Sequence, residues 1–178
     1  PPLFFKRAGA FARYARVTEV LSNGSNLTVQ DSKDLQHDAY SASAATRLED
    51  FRDWTSQDPE IETYRQELAL WDGIYDRDER APAVFSHVNR LLGDRGPEAA
   101  LAAGLETLRA QQGEDPSQWR WGRIHRSEFP HELVSAYDLP TAERLGGAGT
   151  VAATGATFRE VIDFSDLVMK GACPDNIT

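Results

Sequence analysis

His125 and His131, with Glu128 and Glu132 beside them, are the residue types that ligate transition metals. Their spacing matches no common ligand motif and Pro130 interrupts helical geometry, so imidazoles hydrogen-bonded within a loop are expected. Asp72, Asp76, Asp78 and Glu79 gather the carboxylates a hard cation favours, yet they lack the loop pattern of a calcium-binding hand and read as a solvated turn. Arg120, Arg123 and Arg126 alternate with Trp119, Trp121 and Phe129, as on surfaces that stack bases and neutralise phosphates. Gly147-Ala148-Gly149-Thr150-Val151-Ala152 fits a relaxed dinucleotide-binding fingerprint. That fingerprint must follow a strand and open a helix, whereas this one follows a polar loop and opens an expected strand. The chain carries no Gly-Lys-Ser/Thr phosphate loop and no Gly-x-Ser-x-Gly elbow. Arg13 and Arg16 have the pattern of surface charges, and no complete set of nucleophile, base and oxyanion donors emerges from spacing alone.

Charge decides the nucleic-acid question. The 178 residues hold 19 Lys plus Arg against 28 Asp plus Glu, a formal net charge of −9. Such a molecule repels phosphate backbones, so nucleic acid is excluded as a partner, and the Arg-Trp segment is expected to stack guanidinium on indole within the protein. With 40% hydrophobic and 26% charged residues the chain is of globular composition. No apolar run approaches the roughly 18 residues of a membrane span. The sole cysteine, Cys173, excludes an internal disulfide and a cysteine-rich zinc site. Asn23, Asn26 and Asn176 open N-glycosylation patterns, which matter only in a host that glycosylates exported proteins. The start, Pro1-Pro2-Leu3, lacks an initiator Met and a signal-peptide layout, as a processed or excised chain would.

The elements that must position these residues are mostly helical. Phe11, Tyr14, Val17 and Leu21 recur at helical steps, and Ser22 to Asn26 stops them. Thr28, with Asp31 three residues on, predicts a capping box for a helix running through Leu35, Ala39 and Ala42 toward Leu48. Asp58-Pro59 reads as N-cap and first helical residue, with Ile61, Tyr64, Leu68 and Trp71 on one face and Gly73 at the end. Val84, Val88, Leu91 and Leu92 define another helix after Pro82. Gly96-Pro97 opens one carrying Leu101, Leu105 and Leu108 until Gly113. Periodicity is lost after Trp119. Thr150-Val151-Ala152-Ala153 and the segment Thr157 to Phe164 alternate or are β-branched, which predicts a hairpin turning at Thr154-Gly155-Ala156. The expected organisation is a helical part over about 8–113, a loop and strand part over about 119–166, and an unassigned tail over 167–178.

Several separated stretches resemble one family, in one order. Trp119-Arg120-Trp121-Gly122-Arg123-Ile124-His125, followed by Phe129-Pro130-His131, resembles the W-x-W-G-x-x-H…F-x-H segment of the penicillin amidase family of N-terminal-nucleophile hydrolases. Gly146-Gly147-Ala148-Gly149-Thr150-Val151-Ala152-Ala153, then Gly155 to Asp166, is similar to that family's G-G-x-G-T-V-x-A…G-A-S/T-F/Y-R-x-V-x-D-x-S-D segment. Upstream, Arg13-Tyr14-Ala15-Arg16-Val17, Leu27-Thr28-Val29-Gln30-Asp31 and Leu35-Gln36-His37-Asp38 resemble its helix pair, and Leu70-Trp71-Asp72-Gly73 resembles its L-x-x-W-D-G. Two departures stand out: Ala152 replaces a frequent Asn, and the tail after Asp166 differs from the usual P-G-Q-S-G type segment.

The resemblance implies an α+β chain that forms part of a four-layer αββα sandwich, a fragment of the large (beta) subunit. It implies an acylase that cleaves the side chain of penicillin-like or other N-acyl substrates. N-acyl homoserine lactones are an alternative substrate class, and a non-catalytic helical binding module is the rival reading. The nucleophile in such enzymes is a serine freed at the subunit's N-terminus by self-cleavage, activated by its own α-amine, and it would precede Pro1, as would the oxyanion-hole groups. The chain alone is then expected to be inactive. One supporting residue is expected within it, an arginine of the first helix four residues before the helix's apolar Ile or Val. Counting back from Val17 gives Arg13, with Arg16 the competitor one turn away. Substrate-binding residues are not assigned. No cofactor or metal is expected in this chain, calcium belonging to intact members through ligands elsewhere. The implied partners are the rest of the large subunit, the small (alpha) subunit and a small N-acyl substrate. An extracytoplasmic location is implied by the same likeness.

Overall fold

A computed structural model describes residues 8–152 and 160–163, with side chains from residue 12 onward. Seven helices and one two-stranded sheet appear among the described residues, an α+β architecture. The helices are α1 (Ala8–Asn23), α2 (Val29–Gln36), α3 (Ala42–Leu48), α4 (Pro59–Leu70), α5 (Ala81–Val88), α6 (Pro97–Gln112) and α7 (Trp121–Ile124). Strands β1 (Arg126–Phe129) and β2 (Leu139–Glu143) pair antiparallel, with an irregularity between Ser127 and Phe129.

Local chemistry sets most helix starts. The Thr28 hydroxyl accepts from the Asp31 amide and the Asp31 carboxylate accepts from the Thr28 amide, the reciprocal capping box. Asp58 accepts from the amides of Glu60 and Ile61 ahead of Pro59, satisfying donors that α4 itself cannot. Gly96-Pro97 opens α6, and Gly113 closes it at φ +87, a conformation in which a side chain would be strained.

The core lies between α3, α4, α5, α6 and α7. Ile61, Tyr64 and Leu68 are buried along one face of α4, with Trp71 buried just past its end, and Leu101, Leu105 and Leu108 are buried along α6. Helices α5 and α6 approach closely at Gly104, where a Cβ would lie 2.7 Å from Val88 Cγ2. Only glycine admits that spacing. An aromatic ladder continues the core: Trp71 stands 5.3 Å from Phe85 and 5.2 Å from Tyr75, Tyr75 5.2 Å from Trp121, and Trp121 stacks on His125 at 5.0 Å.

Three expectations are corrected. The helix expected from Thr28 to Leu48 is two helices, because the backbone between them pairs with a distant segment: Ser41 N–H donates to the Gly73 carbonyl and Tyr75 N–H to the Ala39 carbonyl, both at 3.0 Å. Ser41 then caps α3 through its hydroxyl. The strand expected at Thr150–Ala153 is a turn over its described residues 150–152; of Thr157–Phe164, residues 160–163 carry no strand and the others lie outside the described residues. The hairpin instead occupies 126–143, within the stretch expected to be loop. It is largely exposed, with Leu133 at 88%. Tyr14 and Leu21 of the α1 stripe are likewise exposed, at 59% and 49%. Cys173 and Asn176 lie outside the described residues.

Candidate functional site

The segments singled out by their residue patterns meet at one polar corner. Its floor is backbone. Residues 39–41 pair with 73–75 in an isolated antiparallel bridge, Tyr40 opposite Ile74. Gly146 N–H then donates to the Tyr75 carbonyl (2.8 Å), and Ala152 N–H donates to the Asp38 carbonyl (2.9 Å). The Trp121 indole N–H donates to the Gly146 carbonyl at 2.8 Å, tying the aromatic motif to the glycine-rich one.

The turn from Gly146 to Ala152 is shaped by its glycines and by Thr150. Gly146 (φ +78) and Gly149 (φ +85) are left-handed, which their types allow. A Cβ at Gly147 would lie 2.7 Å from the Tyr75 ring, so that turn lies flat on buried phenol. Burial alone pushes the Tyr75 hydroxyl pKa up, keeping it neutral. Thr150 is fully buried; its hydroxyl accepts from Gly147 N–H and donates to the Gly147 carbonyl, both at 3.0 Å. Ser41, also buried, lies beneath the turn and donates to the Ala148 carbonyl at 3.4 Å.

Helix α1 brings two arginines to this corner, and they are used differently. Arg16 Nε donates to Asp38 Oδ2 at 2.7 Å, its Nη1 lies 3.2 Å from Glu19, and its guanidinium sits 4.9 Å above the Tyr40 ring. Desolvation opposes its charge, but the hydrogen bonds it donates to Asp38 and Glu19 prevail and its pKa is raised. Arg13, one turn earlier and exposed, donates Nε to the Thr150 carbonyl at 3.3 Å. Neither of its terminal nitrogens has a partner among the described residues. Arg13 thus presents a planar pair of donors to whatever stands beside the turn.

Other candidates resolve into structure. Arg120 pairs with Asp78 (2.7 Å) and Glu143 (3.3 Å), Arg123 with Gln118 and Arg126 with Thr141. The guanidinium–indole stack expected from the arginines of this segment is therefore corrected: the cation beside Trp119 is Arg109, 5.9 Å from the ring centre. His131 accepts from the amides of Leu133 and Val134 inside the hairpin loop, as expected of a loop imidazole, and its ring lies against Tyr137. His125 is distant from it in role, stacked on Trp121 with Nδ1 unpartnered among the described residues. Burial leads the causes that lower the His125 pKa. Asp72 and Asp76 accept amides two residues on, forming the expected acidic turn. Among the described residues no three His, Cys, Asp or Glu side chains group to hold a metal ion, and no helix is long and apolar enough to cross a membrane.

Sequence reasoning missed Asp38, Ser41 and Tyr75 as parts of this corner. Ser41 carried a usable signal, a serine immediately before Ala42 where α3 begins, but the apolar spacing ran across it. Asp38 and Tyr75 take their roles from partners far away in the chain.

What the corner offers is a fixed turn with a guanidinium held beside it, chemistry suited to stabilising developing negative charge. The scaffold that carries this corner is α+β. A family model described as penicillin amidase matches residues 4–172. The chain belongs to the penicillin amidase family, which places it among amide hydrolases. No curated protein matches it.

Proposed function

We propose that this chain is part of an acylase that cleaves the acyl side chain of an N-acyl amide, of the penicillin type or related to it, through an acyl-enzyme. A serine supplied from outside these 178 residues attacks the amide carbonyl. Its own α-amine takes the hydroxyl proton and passes it to the leaving amine; water then attacks the ester, the amine again taking the proton, and free acid and serine are regenerated. Arg13 lies beside this centre and supports the negative charge that develops there. The helices and strands here contribute to a four-layer αββα sandwich completed by the rest of the large subunit and by the small subunit.

The observation that carries this reading is the convergence at Thr150: the family-type arginine of α1 meets the glycine-rich turn across 137 residues of sequence, with both terminal nitrogens unpaired among the described residues. In Arg16, by contrast, the guanidinium is committed to Asp38, Glu19 and Tyr40. The test is direct. The self-cleaved precursor containing this chain should release p-nitroaniline from a phenylacetyl or fatty-acyl anilide, while the 178 residues alone should not. Turnover by the chain alone, with contaminating hydrolase excluded, would overturn the proposal. Competition between β-lactam and N-acyl homoserine lactone substrates on the mature enzyme then fixes the substrate class.

A further inference from the structure

We infer that Asp38 is a positioning residue for this hydrolysis, holding both sides of the Arg13–Thr150 contact at once. The inference rests on Arg13 serving the reaction, as proposed above. On the donor side, Asp38 Oδ2 accepts Arg16 Nε at 2.7 Å. Arg13 and Arg16 are three residues apart on α1, hence on one face, so fixing Arg16 fixes the height and rotation from which Arg13 reaches out. On the acceptor side, the Asp38 carbonyl takes the Ala152 amide at 2.9 Å, holding the end of the turn whose Thr150 carbonyl receives Arg13. The second carboxylate oxygen, Oδ1, accepts the Tyr40 amide at 2.8 Å and so pins the Asp38 backbone that makes this bond.

The ion pair is sheltered enough to act as a fixed joint. Side-chain exposure is 13% for Asp38 and 25% for Arg16, whereas Glu19, the other carboxylate on Arg16, is 54% exposed and more distant at 3.2 Å. Solvent screens the Glu19 pair more strongly, which leaves Asp38 as the anchor. Its side chain has an isosteric neutral counterpart. Asp38→Asn preserves volume but has a single acceptor oxygen, which cannot serve both Tyr40 N–H and Arg16 Nε; in either orientation an amide donor faces a donor.

The experiment is a double-mutant cycle on the mature, self-cleaved enzyme, with an acyl anilide as substrate. Asp38→Asn should lower kcat about 10- to 100-fold with KM changed far less, because misplacing a supporting group costs rate more than binding. In an Arg13→Ala background the same substitution should leave kcat unchanged, since the group it positions is gone. Arg16→Lys, which keeps the charge but replaces the Nε contact, should reproduce the Asp38→Asn loss and takes its place in the cycle if Asp38→Asn fails to mature. A full loss that persists in the Arg13→Ala background, or no loss in either variant while Arg13→Ala is impaired, would overturn the inference. Wild-type kcat in Arg13→Ala would instead overturn the reading of Arg13 on which it rests.

Discussion

The aromatic core and the α1 corner both contain the residues by which this chain resembles its family, but they use them in opposite ways. In the core, Trp119 is fully buried, its indole N–H donates to the Gly113 carbonyl, and its ring meets Tyr64 at 5.8 Å. Gly122 is there because Arg77 leaves no room for a side chain: a Cβ would stand 3.0 Å from its carbonyl. The two tryptophans and the glycine of that motif are consumed by packing. At the corner the polar groups exceed what the fold needs, and the surplus is concentrated on Arg13. A patterned residue therefore signals function only after the contacts that fold it have been subtracted.

Substitutions can sharpen or break that contrast, beginning with the largest stability effect. Trp119→Ala should cost about 3–5 kcal/mol in urea unfolding, through lost burial and an unfilled space. A much smaller loss would mean that the aromatic motif is not consumed by packing. Gly146→Ala should cost about 1–3 kcal/mol, since φ +78 strains a side chain and its Cβ would meet the Ala152 carbonyl. Because that residue sits in the turn, kcat should fall with it, whereas Asp58→Ala, a cap remote from the corner, should cost about 1 kcal/mol and leave kcat intact.

The smallest expected effects are electrostatic. Glu62, hydrogen-bonded by Arg65, by the Ser56 amide and by Gln66, is held down to about 2 from an ordinary 4.5. Its stabilising contribution is present above pH 4.5 and is lost as pH falls toward about 2. Glu62→Gln should flatten the unfolding profile in that window. The depressed His125 has the same sign at higher pH: below its ordinary 6.5 the unfolded chain binds the proton more readily, so stability falls as pH falls. An unchanged profile in His125→Leu would contradict that burial of the imidazole.

Features with local causes were legible in the sequence. Thr28 with Asp31, Asp58-Pro59, Gly96-Pro97 and Gly113 set helix ends through neighbours a few residues away, and all occupy those places. The break at Asp38–Ser41 was not legible, because it is made by pairing with Gly73–Tyr75. The sheet was misplaced for a related reason. Both Arg126–Phe129 and Leu139–Glu143 are mostly exposed, so they lack the alternation that half-burial imprints, and Pro140 argues locally against a strand. Thr150-Val151-Ala152, richer in β-formers, is held as a turn by the Thr150–Gly147 bonds. Family-type spacing brought Arg13 and Arg16 forward together. The count from Val17 favoured Arg13, but that Arg16 is held by Asp38 is a tertiary fact that no count along the chain contains.

The central claim is that Arg13 carries the unspent chemistry of the corner. The measurement that tests it most directly is kcat alongside Tm for Arg13→Ala in the mature enzyme. A kcat reduced about 100-fold is expected, the scale of losing one preorganised donor, with Tm close to wild type because only one part-buried hydrogen bond to the fold is removed. Wild-type kcat with a lowered Tm would make Arg13 a structural residue and contradict the account.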